Sequence, residues 1–226
     1  MTILLTRPYA LSINSKHRLL MLGKNSVIIP LIKVQNIDIQ VMDDNYDVVI
    51  LTSQNAVHAV EKSSWIKRKP IFVVGNKTKE KLLQIGCGCV MSSNGTARNL
   101  EETIVNNVSN TLRILYLSGD YTSYDLDIKL KSRGYDVTKK TAYRANAVQS
   151  LSKQEIGVMN TSDTILFYSP RTASVFTKLA WQYSLRGNDK VAICISNNCA
   201  SLISELVWKE IRIANRPNEK AMFALL

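Results

Sequence analysis

The sequence predicts an α/β protein in which parallel sheets are covered on both faces by helices. Apolar stretches of strand length recur with helical spacings between them, the pattern of parallel strands joined by crossover helices. The helical segments end at glycines, and the order of elements in the first half of the chain returns in the second.

Strands are expected at residues 3–6, 27–34, 48–52, 71–74, 113–118, 137–143, 164–168 and 191–195. Between them, Leu82, Leu83 and Ile85 precede Gly86, and Leu126 and Leu130 precede Gly134. Val175, Phe176, Leu179, Ala180 and Tyr183 form one helical stripe before Gly187. A glycine after an apolar stripe suits a C-terminal cap. The repeat is seen by sliding the chain along itself. Ile3 to Arg7 with Gly23 falls on Ile114 to Ser118 with Gly134, Asp47 on Asp163, Ser53 on Ser169, Gly75 on Ser196 and Thr78 on Cys199. Two similar α/β modules account for this better than one large sheet.

Composition narrows the function. With 46% hydrophobic residues in 226, the chain has ample core for one or two domains. Lys plus Arg number 29 against 18 Asp plus Glu, a net charge of +11. Such a field attracts polyanions, although runs such as Lys67-Arg68-Lys69 and Lys139-Lys140 also read as solvated surface. The N-terminus is too short in apolar residues for a signal peptide, and no run reaches membrane-spanning length, so a cytoplasmic protein without a membrane partner is expected. Cys87, Cys89, Cys194 and Cys199 are then reduced thiols, and neither their spacing nor His17 and His58 suggests a metal site.

In a parallel sheet the loops leaving the strand ends gather at one edge, where the following helices aim free N–H groups. The turns there read Thr6-Arg7-Pro8, Thr52-Ser53-Gln54, Gly75-Asn76-Lys77-Thr78, Ser118-Gly119-Asp120, Ser169-Pro170-Arg171-Thr172 and Ser196-Asn197-Asn198. Each suits an ordinary helix N-cap. Together they also suit an anion-binding rim. A Walker loop, a dinucleotide fingerprint and a G-x-S-x-G elbow are all missing, so an enzyme with this sequence would act by holding an anionic substrate in a productive shape.

The blocks "ILLTRPYA…LGKNSVIIPLIKV", "DVVILTSQNAVHAV", "IFVVGNKTKEKLLQIG", "LYLSGD…LKSRGYDVTKKTAYRA", "DTILFYSP" and "ANRPNEKAMFALL" resemble, in order, those of the uroporphyrinogen-III synthase family, over nearly the whole chain. The resemblance implies two flavodoxin-like domains joined by a two-stranded linker. Domain 1 would be residues 1–36 plus 149–226, domain 2 residues 39–145, and the active site the cleft between them. It implies closure of the linear tetrapyrrole hydroxymethylbilane, a substrate with many carboxylates, to uroporphyrinogen III. Water is lost and ring D is inverted through a spiro intermediate, by a monomer that needs no cofactor. By position, Tyr143 would be catalytic, assisting departure of the substrate hydroxyl. Thr6, Arg7, Ser53, Gly75, Thr78, Ser118, Gly119, Ser169, Ser196, Asn197 and Asn198 would bind substrate, Arg7 by pairing with a carboxylate. One departure stands out: where the family shows Gly-x-Thr-Thr-Ala, this chain reads Ser196-Asn197-Asn198-Cys199-Ala200. The competing readings are a catalytically silent anion-binding or interaction module and a basic nucleic-acid-binding protein. The 7% aromatic content and the lack of an RNA-binding motif speak against the second.

Overall fold

The structure is a computed structural model that describes residues 1–39, 45–93 and 95–226. The chain opens with β1 (Thr2–Leu5), α1 (Tyr9–Met21), β2 (Asn25–Ile28) and β3 (Ile32–Asn36). It continues through β4 (Val48–Leu51), α2 (Val57–Glu61), β5 (Ile71–Val73), α3 (Asn76–Gln84), β6 (Val90–Ser92), α4 (Ala97–Asn107), β7 (Arg113–Gly119), α5 (Leu126–Ser132) and β8 (Asp136–Ala147). The last third holds α6 (Lys153–Thr161), β9 (Thr164–Phe167), α7 (Pro170–Tyr183), β10 (Val191–Cys194), α8 (Asn197–Ile203), β11 (Glu210–Ile213) and α9 (Glu219–Phe223).

Contacts divide the chain into two units, Met1–Lys33 with Asn146–Leu226 and Val34–Ala145. Both chain crossings fall inside strands, β3 and β8, which are neighbours in one sheet. Among the described residues, the first unit carries a sheet ordered β11-β10-β9-β1-β2 and the second a sheet ordered β3-β8-β7-β4-β5-β6. Numbered within its own unit, the first sheet runs 2-1-3-4-5, the flavodoxin order. Superposing β9 on β4 and β1 on β7 makes the second the same arrangement, with β6, β5, β4, β7 and β8 standing where β11, β10, β9, β1 and β2 stand. Only the chain order differs, because one unit begins with the strand-helix-strand segment that ends the other.

The matched aspartates show the repeat at atomic level. Asp47 accepts the Arg113 N–H at 2.8 Å and gives its own N–H to the Arg113 carbonyl. Asp163 accepts the Thr2 N–H at 2.6 Å and gives its own N–H to the Thr2 carbonyl. Each ties the start of one strand to the start of its neighbour.

The inner strands are buried because both faces are covered. In β4, Val49 and Leu51 join one apolar cluster with Val60, Leu82 and Leu115, while Val48 and Ile50 join another with Leu100, Ile104 and Ile114. In the first unit Ile3, Leu5, Leu19, Leu166, Ile193 and Met222 pack together, and Phe167 packs edge-to-face against both Phe176 and Trp208.

Several expectations are corrected. Residues 27–34 form two strands, because Pro30 has no N–H to continue a ladder, and the chain passes there from one sheet to the other. β6 and β11 escaped the sequence because both are short, partly exposed edge strands without an apolar run. Gly86 and Gly134 do take positive φ, 89° and 84°, after their helices. α7 instead ends on Ser184 in the left-handed region, and Gly187 serves a close approach, since a Cβ there would lie 2.6 Å from the Val207 carbonyl.

Candidate functional site

In the second unit the strand-end turns enclose a cavity of about 330 Å³ lined by Thr52, Ser53, Val74, Thr96, Ala97, Tyr116, Tyr121 to Tyr124 and Tyr143. Its floor is set by β4 and β7. Tyr116 is the one aromatic in an otherwise aliphatic stretch of β7, and its buried hydroxyl shares a 3.0 Å hydrogen bond with Thr52 Oγ1. Burial pushes the Tyr116 phenol up to about 12, against the Thr52 bond that favours its ionised form. Lys139 Nζ stands 5.7 Å from the centroid of the same ring and is held by Asp127 at 3.3 Å. Sequence reasoning missed Tyr116, Thr52's role and Lys139. The lone polar-tipped aromatic of β7 was the available signal for the first, whereas the other two depend on through-space neighbours.

Ser53, in extended conformation, accepts the Asn55 N–H at 3.2 Å and so caps the short 3₁₀ turn that leads into α2. Tyr143 is half-buried at the cavity wall. Gly119 lies against it, for a Cβ on Gly119 would meet the Tyr143 ring and hydroxyl at 2.8–2.9 Å. Gly75 caps α3 with φ −136° and ψ 151°, and a Cβ there would meet nothing within 4 Å. It therefore leaves open backbone rather than filling a packing need.

Other expected binding groups are turned inward. The buried Thr6 hydroxyl donates to the Leu166 carbonyl at 2.7 Å, Ser118 Oγ donates to the Gly119 carbonyl at 3.0 Å, and Thr78 is buried. Arg7 was expected to pair with a substrate carboxylate, but its Nη1 donates to Glu219 Oε1 at 3.0 Å while its guanidinium lies 4.4 Å from the Tyr168 ring centroid. Glu219 also accepts from Ser15 at 2.5 Å and from Arg18 at 2.6 Å. Burial pushes the Glu219 carboxyl up, but the bonds from Ser15 and Arg18 and the charges of Arg7 and Arg18 outweigh it and hold it below the usual range. Burial, reinforced by the charge of Glu219, raises Tyr168.

The remaining rim groups of the first unit sit at helix starts. Ser169 accepts the Thr172 N–H at 3.2 Å, and Ser196 accepts the Cys199 N–H at 3.4 Å. Ser196 has φ −159°, extended backbone that any residue adopts, so serine in place of the family's glycine brings no strain. Asn197 and Asn198 are exposed. Among the described residues no three His, Cys, Asp or Glu side chains are grouped to hold a metal ion, and no helix is long and apolar enough to cross a membrane.

Parallel sheets with hydroxyl- and amide-bearing turns at their strand ends, duplicated by permutation, define a two-unit α/β protein that offers neutral donors and phenols rather than a nucleophile triad. Comparison with solved structures agrees. Uroporphyrinogen-III synthetase from Helicobacter pylori 26695 matches with a TM-score of 0.70 at 17% identity, over 99% of this chain and 97% of that one. A mutant uroporphyrinogen III synthase from the extremely thermophilic bacterium Thermus thermophilus matches with a TM-score of 0.54 at 14% identity, over 99% and 96%. No curated protein matches the sequence significantly. The family model of uroporphyrinogen-III synthase HemD matches residues 15–224, and the chain belongs to that family, whose members are cyclising lyases of tetrapyrrole biosynthesis.

Proposed function

We propose that this chain closes hydroxymethylbilane to uroporphyrinogen III, with hydroxyl, amide and backbone donors of the strand-end turns acting on the substrate. The observation that carries this reading is the family match over residues 15–224, joined by a half-buried Tyr143 on a hydroxyl-lined cavity. In the reaction the terminal C–O bond breaks, Tyr143 acts as hydrogen-bond donor and weak acid toward the departing hydroxyl, which leaves as water, and the pyrrole N–H proton returns to the phenolate as the azafulvene forms. The azafulvene carbon is then attacked by the substituted position of ring D. The spiro-pyrrolenine so formed fragments and recloses with ring D reversed. The protein's main task is to forbid direct closure, which is work for positioned donors rather than for a cofactor.

Ser53, the backbone at Gly75 and Gly119, Ser169, Ser196, Asn197 and Asn198 are the groups assigned to substrate. Thr6, Arg7, Thr78 and Ser118 are assigned to the scaffold beneath them, because their polar atoms are engaged or enclosed. The +11 net charge favours capture of a polycarboxylate before any specific contact forms. The reading includes a monomer acting in the cytoplasm without nucleic acid, where four unpaired cysteines are at home.

The test is to supply hydroxymethylbilane and identify the porphyrin isomer after oxidation. Predominant isomer III is expected, and isomer I at the level of an enzyme-free control refutes the assignment. Tyr143→Phe should lower turnover. Unchanged turnover removes the role given to Tyr143 while leaving the overall reaction standing.

A further inference from the structure

We infer that Gly119 and Asp120 are positioning residues that fix the Tyr143 phenol, an inference that rests on the catalytic role proposed above for Tyr143. Three observations converge on it. The parallel pairing of β7 with β8 is regular from Arg113 and Asp136 to Ser118 and Thr141, then shifts so that Gly119 faces Tyr143 and Ala142 is left as an extra residue. A bulge of this kind re-aims the side chain that follows it. Ala142 is fully buried and its carbonyl accepts the Ile37 N–H at 2.8 Å, which anchors the bulge.

Beyond the shift, Asp120 ties the two strands together at Tyr143 and two residues after it. Its N–H donates to the Tyr143 carbonyl at 3.1 Å, and its Oδ1 accepts the Tyr121 N–H at 3.0 Å and the Ala145 N–H at 3.3 Å. The backbone of Tyr143 is thus held from one side by main chain and from two residues further on by a carboxylate.

Gly119 completes the clamp. A Cβ there would stand 2.8 Å from Tyr143 Cζ, 2.9 Å from Cε2 and 2.9 Å from the hydroxyl, closer than side-chain carbons approach. The hydroxyl end of the ring occupies space that only a glycine leaves, so any other residue displaces the phenol itself rather than a distant part of the fold. A ring moved by about 1 Å can cost on the order of 100-fold in rate.

The experiment compares Gly119→Ala and Asp120→Ala, each alone and in a Tyr143→Ala background, for kcat, KM, isomer ratio and Tm. The protein is also labelled with 3-fluorotyrosine, and the Tyr143 resonance is assigned by its loss in Tyr143→Phe. Gly119→Ala is expected to shift that resonance and to lower kcat at least 10-fold with KM within 2-fold. It should raise the share of isomer I and add no further loss once Tyr143 is alanine. Asp120→Ala is expected to act in the same direction, more weakly. An unmoved fluorine resonance in both variants overturns the clamp. A kcat loss of equal size with and without the Tyr143 ring also overturns it. If Tyr143→Phe retains full turnover, the catalytic role of Tyr143 fails separately, and the fluorine shift still decides whether the clamp exists.

Discussion

Replacing Glu219 by alanine separates two roles for Arg7. Glu219 is 14% exposed and accepts from three side chains, Arg7 at 3.0 Å, Ser15 at 2.5 Å and Arg18 at 2.6 Å. Arg7 is 20% exposed, so the loss of its partner strands a mostly buried cation, worth about 1.5–3 kcal/mol for a charged hydrogen bond. Arg18 is 56% exposed, so its share is discounted to about 0–1 kcal/mol. The sum is about 1.5–4 kcal/mol, which lowers Tm by roughly 3–16 °C for a protein of this size. Arg7→Ala should destabilise similarly, and the double variant should cost about 1–2 kcal/mol less than the sum of the two. The assays are thermal and urea unfolding beside steady-state kinetics. If Arg7→Ala leaves Tm unchanged and raises KM instead, Arg7 holds a substrate carboxylate and the scaffold assignment is wrong. The pair also sets an acid limit. The Glu219 carboxyl is depressed in the folded state, so its stabilisation is present above the ordinary glutamate pKa and is lost as pH falls through its lowered value. Glu219→Gln should therefore flatten the acid limb of a stability-pH curve.

Three further outcomes are expected. Gly75→Ser should leave the fold intact and raise stability by a few tenths of a kcal/mol through a new N-cap, while weakening kcat/KM if substrate approaches that backbone; unfolding midpoints and initial rates read both. Lys190, buried and donating to the Asn160 carbonyl at 2.6 Å and the Ser162 carbonyl at 3.0 Å, closes the end of α6, so Lys190→Met should cost about 1–3 kcal/mol in urea unfolding. Iodoacetamide on the native protein should label exposed Cys89 first and spare Cys87, Cys194 and Cys199, whose thiols burial pushes up; peptide mapping identifies the sites.

What the sequence made legible was what is local. Ser53, Ser169 and Ser196 are helix caps because a strand, a small hydroxyl residue and an apolar helix follow in order, and each does accept an N–H two or three residues on. The matched Asp47 and Asp163 were visible as an alignment, although their shared task was not, since each acts on a strand distant in the chain. The pairing of Arg7 was not legible because its partner lies in a segment 212 residues away, and nothing near Arg7 announces a carboxylate. Tyr116 and Thr52 are 64 residues apart and meet only because β4 and β7 are neighbours. Even Pro30 was plain to see, yet its meaning as a boundary between sheets required knowing that the flanking strands pair with different partners.

The permuted order of the units has a consequence during synthesis. β1 has β9 as one neighbour, and Thr6 waits for the Leu166 carbonyl, 160 residues later. At about 5–20 residues per second the first strand, helix and strand spend roughly 8–30 s without that partner. Val34–Ala145, by contrast, is uninterrupted and holds all its strands as soon as it has left the ribosome. The nascent chain therefore carries an apolar fragment with an open strand edge past a neighbour that is able to fold at once. Until β9 arrives, Ile3, Leu4 and Leu5, fully buried in the finished fold, have only the β2 side paired, and that open edge is the one a chaperone would shield.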